Sequence, residues 1–221
     1  GRAAKTTNPD GSYSNAIYDN WQVTSINENG HMNGSEFDAF GRLIKRIEYL
    51  GQDGRNSYYP AEGYSQYALT QYVYDSEGNL KEVHDAKNNV TKIEYDTLGR
   101  KVAMNDPDMG IWKYRYDAVG NLVEQTDAKG KKLEFAYDGL NRLKEKFHLD
   151  SNLSVGYTYD DVTKPFSKGR LSKVNYNTNQ YVDFIYDALG REVESNKLVD
   201  DVLYNVKREY DALNRIQTIE Y

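Results

Sequence analysis

One phrase recurs along most of this 221-residue chain and constrains its fold more than any other feature. It consists of an aromatic residue and aspartate, two variable residues, glycine or asparagine, arginine or asparagine, and usually an apolar residue. The phrase begins at Phe37, Tyr74, Tyr95, Tyr116, Tyr137, Tyr186 and Tyr210. Between Tyr74 and Tyr137 its period is 21 residues, three times in succession. A fixed period of this length is typical of a repeat protein, in which no unit buries its own apolar face.

A second set of aspartate turns lies midway between these phrases. The turns are Asp85-Ala86-Lys87-Asn88, Asp106-Pro107-Asp108-Met109-Gly110 and Asp127-Ala128-Lys129-Gly130. Turn aspartates are therefore 10 or 11 residues apart, which leaves room for one strand between two turns. In Asp-x-x-Gly the carboxylate accepts a backbone N–H, and glycine supplies a positive φ. Asparagine, the next best residue for that conformation, replaces glycine at Asn141 and Asn214.

The segments between turns have the pattern of half-buried strands. From Lys132 to Tyr137, apolar or aromatic residues occupy every second position, and the same alternation recurs over residues 92–95 and 112–116. This period of two, with many aromatic and β-branched residues, is typical of antiparallel strands. No segment has a convincing helical period. The sequence therefore predicts an all-β fold, an elongated and twisted antiparallel sheet of successive β-hairpins.

Composition predicts an aromatic surface that needs a cover. Hydrophobic residues make up only 38% of the chain and mean hydropathy is −0.85, while 21 residues are tyrosine. Tyrosine suits a surface that is apolar in its body and hydrated at its tip. A sheet with one aromatic face must curl on itself, pack on other parts of a longer chain, or hold a guest.

Charge and cysteine content exclude several classes of function. The net charge is −6 with interspersed signs, so the chain has no basic stripe for nucleic acid. Cysteine is absent, which excludes disulfides and thiolate metal sites. His31, His84 and His148 lie in different repeats without metal-ligand spacing, and the aspartates are explained by turns. We therefore predict a chain that is not an enzyme and binds no cofactor or metal.

The repeats also predict how the chain is organised. Residues 1–36 form one or more degenerate N-terminal repeats, and residues 37–221 form the regular array. Insertions interrupt this array at about 48–71 and 160–170. Long loops collect function in repeat proteins, so the tyrosine-rich insertion at 48–71 is the favoured place for a specific contact. Because the last repeat stops at Tyr221, we expect the chain to be a fragment of a longer protein.

The phrase and its period resemble the YD repeat of the Rhs family over essentially the whole chain. Two segments, residues 9–24 and 106–112, are similar to the Rhs portions of bacterial toxin-complex B/C-component and SpvB-like proteins, and more distantly to teneurin shells. The resemblance implies a β-sheet strip that spirals into a hollow shell around a C-terminal toxin polypeptide, in an exported protein that is secreted or at the bacterial cell surface. The aspartate-dependent self-cleaving core segment and the toxin domain of that family are not found in this sequence.

Two sets of residues are predicted to matter. The turn residues are Asp38, Gly41, Asp75, Gly78, Asp96, Gly99, Asp117, Gly120, Asp127, Gly130, Asp138, Asn141, Asp187, Gly190, Asp211 and Asn214. The inward aromatic face is predicted to contain Tyr74, Tyr95, Trp112, Tyr114, Tyr116, Phe135, Tyr137, Tyr159, Tyr186 and Tyr210.

Two binding functions fit this aromatic face. In the favoured one, it lines an interior and contacts an enclosed chain, and tyrosine hydroxyls satisfy stray backbone groups of that chain. The alternative is carbohydrate or cell-surface binding, in which rings stack on sugars, although Trp21 and Trp112 are too far apart in sequence to form a local cluster. We also expect self-association, because the first and last strands of a fragment present unpaired backbone groups.

Overall fold

A computed structural model describes residues 4–51, 64–176 and 179–221. These residues contain 19 β-strands and no helix, and the strands belong to one antiparallel sheet. The strands are β1 (Lys5–Thr7), β2 (Tyr13–Asp19), β3 (Gln22–Ile26), β4 (Met32–Phe37), β5 (Leu43–Gly51), β6 (Tyr64–Tyr74), β7 (Leu80–His84), β8 (Val90–Tyr95), β9 (Lys101–Asp106), β10 (Gly110–Tyr116), β11 (Leu122–Thr126), β12 (Lys132–Tyr137), β13 (Leu143–His148), β14 (Leu153–Tyr159), β15 (Leu171–Tyr176), β16 (Gln180–Tyr186), β17 (Glu192–Val199), β18 (Val202–Tyr210) and β19 (Ile216–Glu220). The predicted all-β sheet of successive hairpins is confirmed.

The chain divides into two compact units, residues 1–111 and 112–221. Within each unit, strands that follow one another in sequence pair as antiparallel neighbours. Because a connection in such a meander alternates between the two ends of the strands, the repeated tyrosine–aspartate turns, here called YD turns, lie at one end. The midway aspartate turns lie at the other end.

A β-bulge accompanies the YD turns. In the β12–β13 hairpin, Tyr137 opposes Leu143 whereas Ala136 opposes Glu145, so Lys144 is an extra residue without a partner in the ladder. The same shift follows the YD turns that join β4–β5, β6–β7, β8–β9, β10–β11, β14–β15, β16–β17 and β18–β19. A bulge of this kind reverses the alternation of side chains after the turn.

Among the described residues, fully buried side chains are few, as expected for a single sheet layer. In the first unit, Ile26 and Met32 are buried and pack against the half-buried rings of Tyr49 and Tyr64. In the second unit, Val174 is the buried apolar residue among those described. Most strand residues on both faces are only half buried, and stability therefore depends on contacts between neighbouring hairpins.

The two predicted insertions have different structures. The ends of the first lie in β5 and β6, which pair with each other across the gap, and residues 52–63 lie outside the described part of the chain. The second is a loop between β14 and β15, whose ends are joined as in a YD turn because Asp160 N–H donates to the carbonyl of Arg170 at 3.2 Å. The domain boundary at residue 36 stays a prediction.

Candidate functional site

The YD turns share one backbone geometry. In the turn after β12, Asn141 N–H donates to the Asp138 carbonyl and Asp138 N–H donates to the Arg142 carbonyl, both at 3.0 Å. The fourth position has a positive φ, which is 59° at Asn141, 62° at Asn214 and 81° at Gly190. This is a type I turn followed by a left-handed residue. The left-handed conformation explains why only glycine and asparagine occupy that position.

The aspartate side chain stabilises the turn by accepting hydrogen bonds from it. Asp138 Oδ1 accepts the backbone N–H groups of Leu140 at 2.9 Å and of Arg142 at 3.0 Å, while its Oδ2 accepts Arg142 Nε at 2.7 Å. The same three bonds occur at Asp38, Asp96, Asp187 and Asp211. One carboxylate therefore fixes both the backbone of the turn and the direction of the arginine.

Asparagine can replace that arginine because it also donates to the carboxylate. Asn79 donates its backbone N–H to Asp75 Oδ1 at 2.8 Å and its side-chain amide to Oδ2 at 3.0 Å. Asn121 does the same at Asp117. The midway turns use the aspartate in a similar way, since Asp127 Oδ1 accepts the N–H groups of two residues of its own turn.

Each YD tyrosine in the following pairs binds the repeat before it through its hydroxyl group. The acceptor is the carbonyl of the residue that begins the strand after the preceding YD turn. The pairs are Tyr74–Leu43, Tyr95–Leu80 and Tyr137–Leu122 at 2.9 Å, Tyr159–Leu143 at 3.0 Å, and Tyr186–Leu171 and Tyr210–Glu192 at 2.7 Å. Each of these hydroxyls donates its proton within its own sheet, so toward a guest chain it can act only as an acceptor. The expectation that they satisfy backbone groups of a guest chain stays a prediction, narrowed to N–H groups.

The arginine of one YD turn also lies on the tyrosine ring of the next. The Arg142 guanidinium carbon is 4.3 Å from the centre of the Tyr159 ring. The corresponding distances are 4.8 Å for Arg42–Tyr74, 4.7 Å for Arg191–Tyr210 and 5.7 Å for Arg170–Tyr186. Aspartate, arginine, the next tyrosine ring and the tyrosine hydroxyl bond thus form one connected set, which we call the turn lock. The sequence predicted the turn but not this link between repeats.

The turn lock keeps its ionisable groups in their ordinary states. The backbone N–H of Arg100 lowers the pKa of Asp96, partial burial opposes this, and the Arg100 side chain adds to the lowering. Arg142 lowers the pKa of Asp138 in the same way. Burial raises the pKa of Tyr95, and the Asp75 carboxylate raises it further. Charged carboxylates and neutral tyrosines are the forms that these hydrogen bonds require.

In the second unit, the predicted aromatic residues share one face of the sheet. Directly opposed residues lie on the same face, and Tyr157, Val174 and Val182 oppose one another across β14, β15 and β16. Alternation along the strands extends this face to Trp112, Tyr114, Tyr116, Phe135, Tyr137, Tyr159, Phe184, Tyr186, Tyr204 and Tyr210. Tyr157, Phe184 and Tyr204 were not among the predicted residues. We call this surface the aromatic face.

The separation of aromatic and charged residues is incomplete. Lys146 and Lys197 lie on the aromatic face, opposite Phe135 and Val182 respectively. Tyr181 lies on the other face, opposite Asn175. The bulge explains the position of Lys146. The extra residue Lys144 shifts the alternation by one residue, so Lys146 lies on the aromatic face, whereas simple alternation from Leu143 would place it on the other face.

In the first unit, the two predicted tyrosines also share a face. Tyr72 opposes Val83, which opposes Thr91, so alternation places Tyr74 and Tyr95 on the same side. The other side contains Glu82, which pairs with His84 at 2.9 Å.

The loop over residues 160–170 is tied to the sheet by charged groups. Arg142 bridges Asp138 and Asp160, with an Nη2 to Oδ2 distance of 2.6 Å to the latter. Lys164 Nζ donates to Asp183 Oδ1 at 2.8 Å and to the carbonyl of Ser172 at 3.0 Å. The loop is therefore held in a defined position, and it presents Val162 and Phe166 to solvent.

The described residues contain no group of three or more histidine, aspartate or glutamate side chains arranged to hold a metal. They also contain no helix that could span a membrane. Asp106, in the Asp-Pro phrase, accepts the N–H groups of Asp108 and Met109 at 2.9 Å, which is the bonding of a turn. The aspartates of the YD turns are likewise used by their own backbone and arginine or asparagine partners.

Comparison with solved structures identifies the class of fold. The crystal structure of TcdB2-TccC3-Cdc42 matches 99% of this chain with a TM-score of 0.74 at 16% sequence identity. The crystal structure of TcdB2-TccC3 without its hypervariable C-terminal region matches with a TM-score of 0.73, also at 16% identity. This chain spans 13% of the length of each matched chain. At this identity the likeness establishes the fold.

A family model matches part of the sequence. Residues 61–168, just under half of the chain, match the family described as the teneurin YD-shell. The predicted resemblance to the Rhs/YD-repeat family is thereby confirmed. A search of curated proteins found no match.

Proposed function

We propose that this chain is a non-catalytic wall segment of a YD-repeat shell that encloses a C-terminal toxin polypeptide. One observation carries the proposal: the turn locks hold tyrosines of the aromatic face in place, and no second layer covers that face within the described residues. An uncovered aromatic face needs a partner. The likeness to TcdB2-TccC3 structures supports a shell as the source of that partner.

The chemistry of the aromatic face suits a guest without a fixed sequence. Tyr137, Tyr159 and Tyr186 donate their hydroxyl protons inside the sheet, so they offer a guest chain ring surfaces and hydroxyl acceptors but no free hydroxyl donor. Half-exposed rings make broad apolar contacts that do not depend on one partner geometry. Such contacts would hold an unfolded polypeptide weakly along its length. The whole protein would then be secreted or displayed at a bacterial surface.

Two lysines on adjacent strands provide a matched test of which face is enclosed. Lys197 lies on the aromatic face and Lys207 on the opposite face of the sheet, which we call the charged face, and both are exposed in this chain. The chain has no cysteine, so Lys197→Cys and Lys207→Cys each introduce a single thiol. In the 221-residue chain, a maleimide carrying a bulky polymer should label both variants.

In the full natural protein that contains this chain, we expect the polymer maleimide to label Lys207→Cys and to spare Lys197→Cys. Denaturation should restore labelling at position 197, which controls for loss of the thiol. Equal labelling of both positions in the folded full protein would contradict enclosure by the aromatic face.

Carbohydrate or cell-surface binding is the second candidate, favoured by the exposure of single rings. Trp21 and Tyr204 are each 56% exposed, which leaves ring surface for stacking on a sugar. A glycan array with the 221-residue chain tests this function. Specific binding that is lost in Trp21→Ala or Tyr204→Ala would support it, and the absence of binding would contradict it. The favoured contact segment at 48–71 lies partly outside the described residues.

A further inference from the structure

The YD turns of the second unit present a row of apolar side chains to solvent. The third residue of each regular turn is strongly exposed: Val119 by 73%, Leu140 by 72%, Leu189 by 70% and Leu213 by 72%. In the interrupted turn, Val162 is 97% and Phe166 51% exposed. We call these six residues the turn ridge.

The fold does not require apolar residues at these positions. A regular YD turn is closed by its aspartate, its left-handed residue and its arginine or asparagine, none of which is the ridge residue. In the midway turn of the same unit, Lys129 occupies the corresponding position, and Asp127 closes that turn with the same pair of N–H bonds. An exposed leucine or valine that recurs where lysine would serve points to a contact outside the sheet.

The regular part of the ridge is rigid. The backbone N–H groups of Val119, Leu140, Leu189 and Leu213 each donate to the aspartate of their own turn, so little conformational freedom remains to be lost on binding. The aspartates beneath Leu140, Leu189 and Leu213 are each paired with an arginine at 2.6–2.7 Å. These three ion pairs reduce the charge repulsion between two ridges that approach at Leu140, Leu189 and Leu213.

The spacing of the ridge favours a partner with the same repeat. Successive YD turns in this unit are separated by two strands, or about 10 Å. The ridge of a second copy has the same spacing between its side chains. When two ridges align, several pairs of side chains therefore come into contact together. The far ends of the strands are a poorer match, because their turns contain Lys129, Asp150, Asp200 and Asp201.

The contact area sets the expected strength. A buried aliphatic side chain removes on the order of 100 Å² from water, so six ridge residues contribute on the order of 500 Å² per copy. Two copies would bury about 1,000 Å², the lower limit for a specific interface. We propose that the turn ridge pairs with the turn ridge of a second copy of this chain, giving a weak dimer with a Kd of roughly 10–1,000 µM.

Sedimentation velocity of the full 221-residue chain over a concentration series tests this proposal. The parent chain should show a concentration-dependent dimer. The double variant Leu140→Lys/Leu189→Lys should weaken dimerisation at least tenfold, and Leu140→Ser/Leu189→Ser should weaken it without adding charge. Lysine at the equivalent position of the Asp127 turn indicates that the variants will fold, and circular dichroism confirms it.

The matched control places two lysines away from the ridge. Leu153 and Val202 are also exposed, by 46% and 50%, and lie at the other ends of the strands. Leu153→Lys/Val202→Lys should dimerise like the parent chain. A parent chain that stays monomeric at millimolar concentration would overturn the proposal. So would ridge variants that associate as strongly as the parent, since they would place the contact at the terminal strands instead. Either result is independent of whether the aromatic face encloses a guest.

Discussion

Removing one tyrosine hydroxyl tests whether the bond between repeats stabilises the sheet. Tyr186 donates to the Leu171 carbonyl at 2.7 Å, and both residues are half buried. Tyr186→Phe keeps the ring and its position beneath Arg170 but leaves that carbonyl without its donor. A hydrogen bond of this kind contributes about 1 kcal/mol to the free energy of unfolding. For a chain of this size, such a loss lowers Tm by roughly 2–4 °C.

The matched control is Tyr204→Phe. Tyr204 lies on the same face and is 56% exposed, and its hydroxyl has no hydrogen bond to the residues that the structure describes. Its replacement should change stability by less than about 0.5 kcal/mol. Tyr137→Phe removes the hydrogen bond to Leu122 and should lower the free energy of unfolding by about as much as Tyr186→Phe. The free energy of unfolding of the double variant should fall by about 2 kcal/mol, because the two sites share no partner.

Urea unfolding followed by circular dichroism gives these free energies directly, provided that the m-values of the variants agree. The reasoning would be refuted if Tyr186→Phe and Tyr204→Phe had the same stability. It would also be refuted if Tyr186→Phe were more stable than the parent chain.

Three further predictions concern the turns and their charges. Gly190→Ala and Gly120→Ala both place alanine at a positive φ, at a cost of roughly 1–2 kcal/mol. Only at Gly190 would the new Cβ displace the Arg170 guanidinium, which would then lose its contacts with the Phe166 carbonyl and the Tyr186 ring, so urea unfolding should show the greater loss there. The pKa values of Asp96 and Asp138 are lowered in the folded state, so these carboxylates stabilise the fold fully above the ordinary aspartate pKa of about 3.9. That stabilisation is lost as pH falls through the lower pKa of the folded state. Tm measured from pH 7 to pH 2 should therefore fall mainly below pH 5, and a Tm that rises on acidification would contradict this. Burial raises the pKa values of Tyr95, Tyr137, Tyr157 and Tyr186, so in a spectrophotometric titration at 295 nm these tyrosines should ionise above the ordinary value of about 10. Tyr95→Phe should reduce the amplitude of that late transition by one tyrosine, and an unchanged amplitude would contradict this.

Much of the local structure could be predicted from the sequence, because a turn is encoded by adjacent residues. The spacing of the aspartates predicted the hairpins. Asn141 and Asn214 pointed to a left-handed conformation, and both have a positive φ. These features depend on steric preferences within four or five residues, which do not change with the rest of the fold.

The links between repeats could not be predicted in the same way. The bond from Tyr159 to Leu143 and the stacking of Arg142 on Tyr159 join residues of different hairpins. They depend on the strand register, which the bulge after each YD turn shifts by one residue. The same shift explains why Lys146 lies on the aromatic face, where alternation counted from the turn would not place it.

The sequence contains a signal for the turn ridge. Valine or leucine stands between aspartate and the left-handed residue at Val119, Leu140, Leu189 and Leu213, and lysine stands there at Lys129. The contrast between these apolar residues and Lys129 is visible in the sequence. Only the exposed fractions of the four side chains show that the turn itself does not bury them.

Cross-linking from the aromatic face tests the proposed enclosure most directly. A benzophenone maleimide on Lys197→Cys, in the full natural protein, places a photoreactive group on the aromatic face, and the same group on Lys207→Cys places it on the charged face. We predict that illumination joins position 197, but not position 207, to a C-terminal polypeptide of that protein, as identified by mass spectrometry. Cross-links to that polypeptide from position 207 alone, or from neither position, would contradict the account.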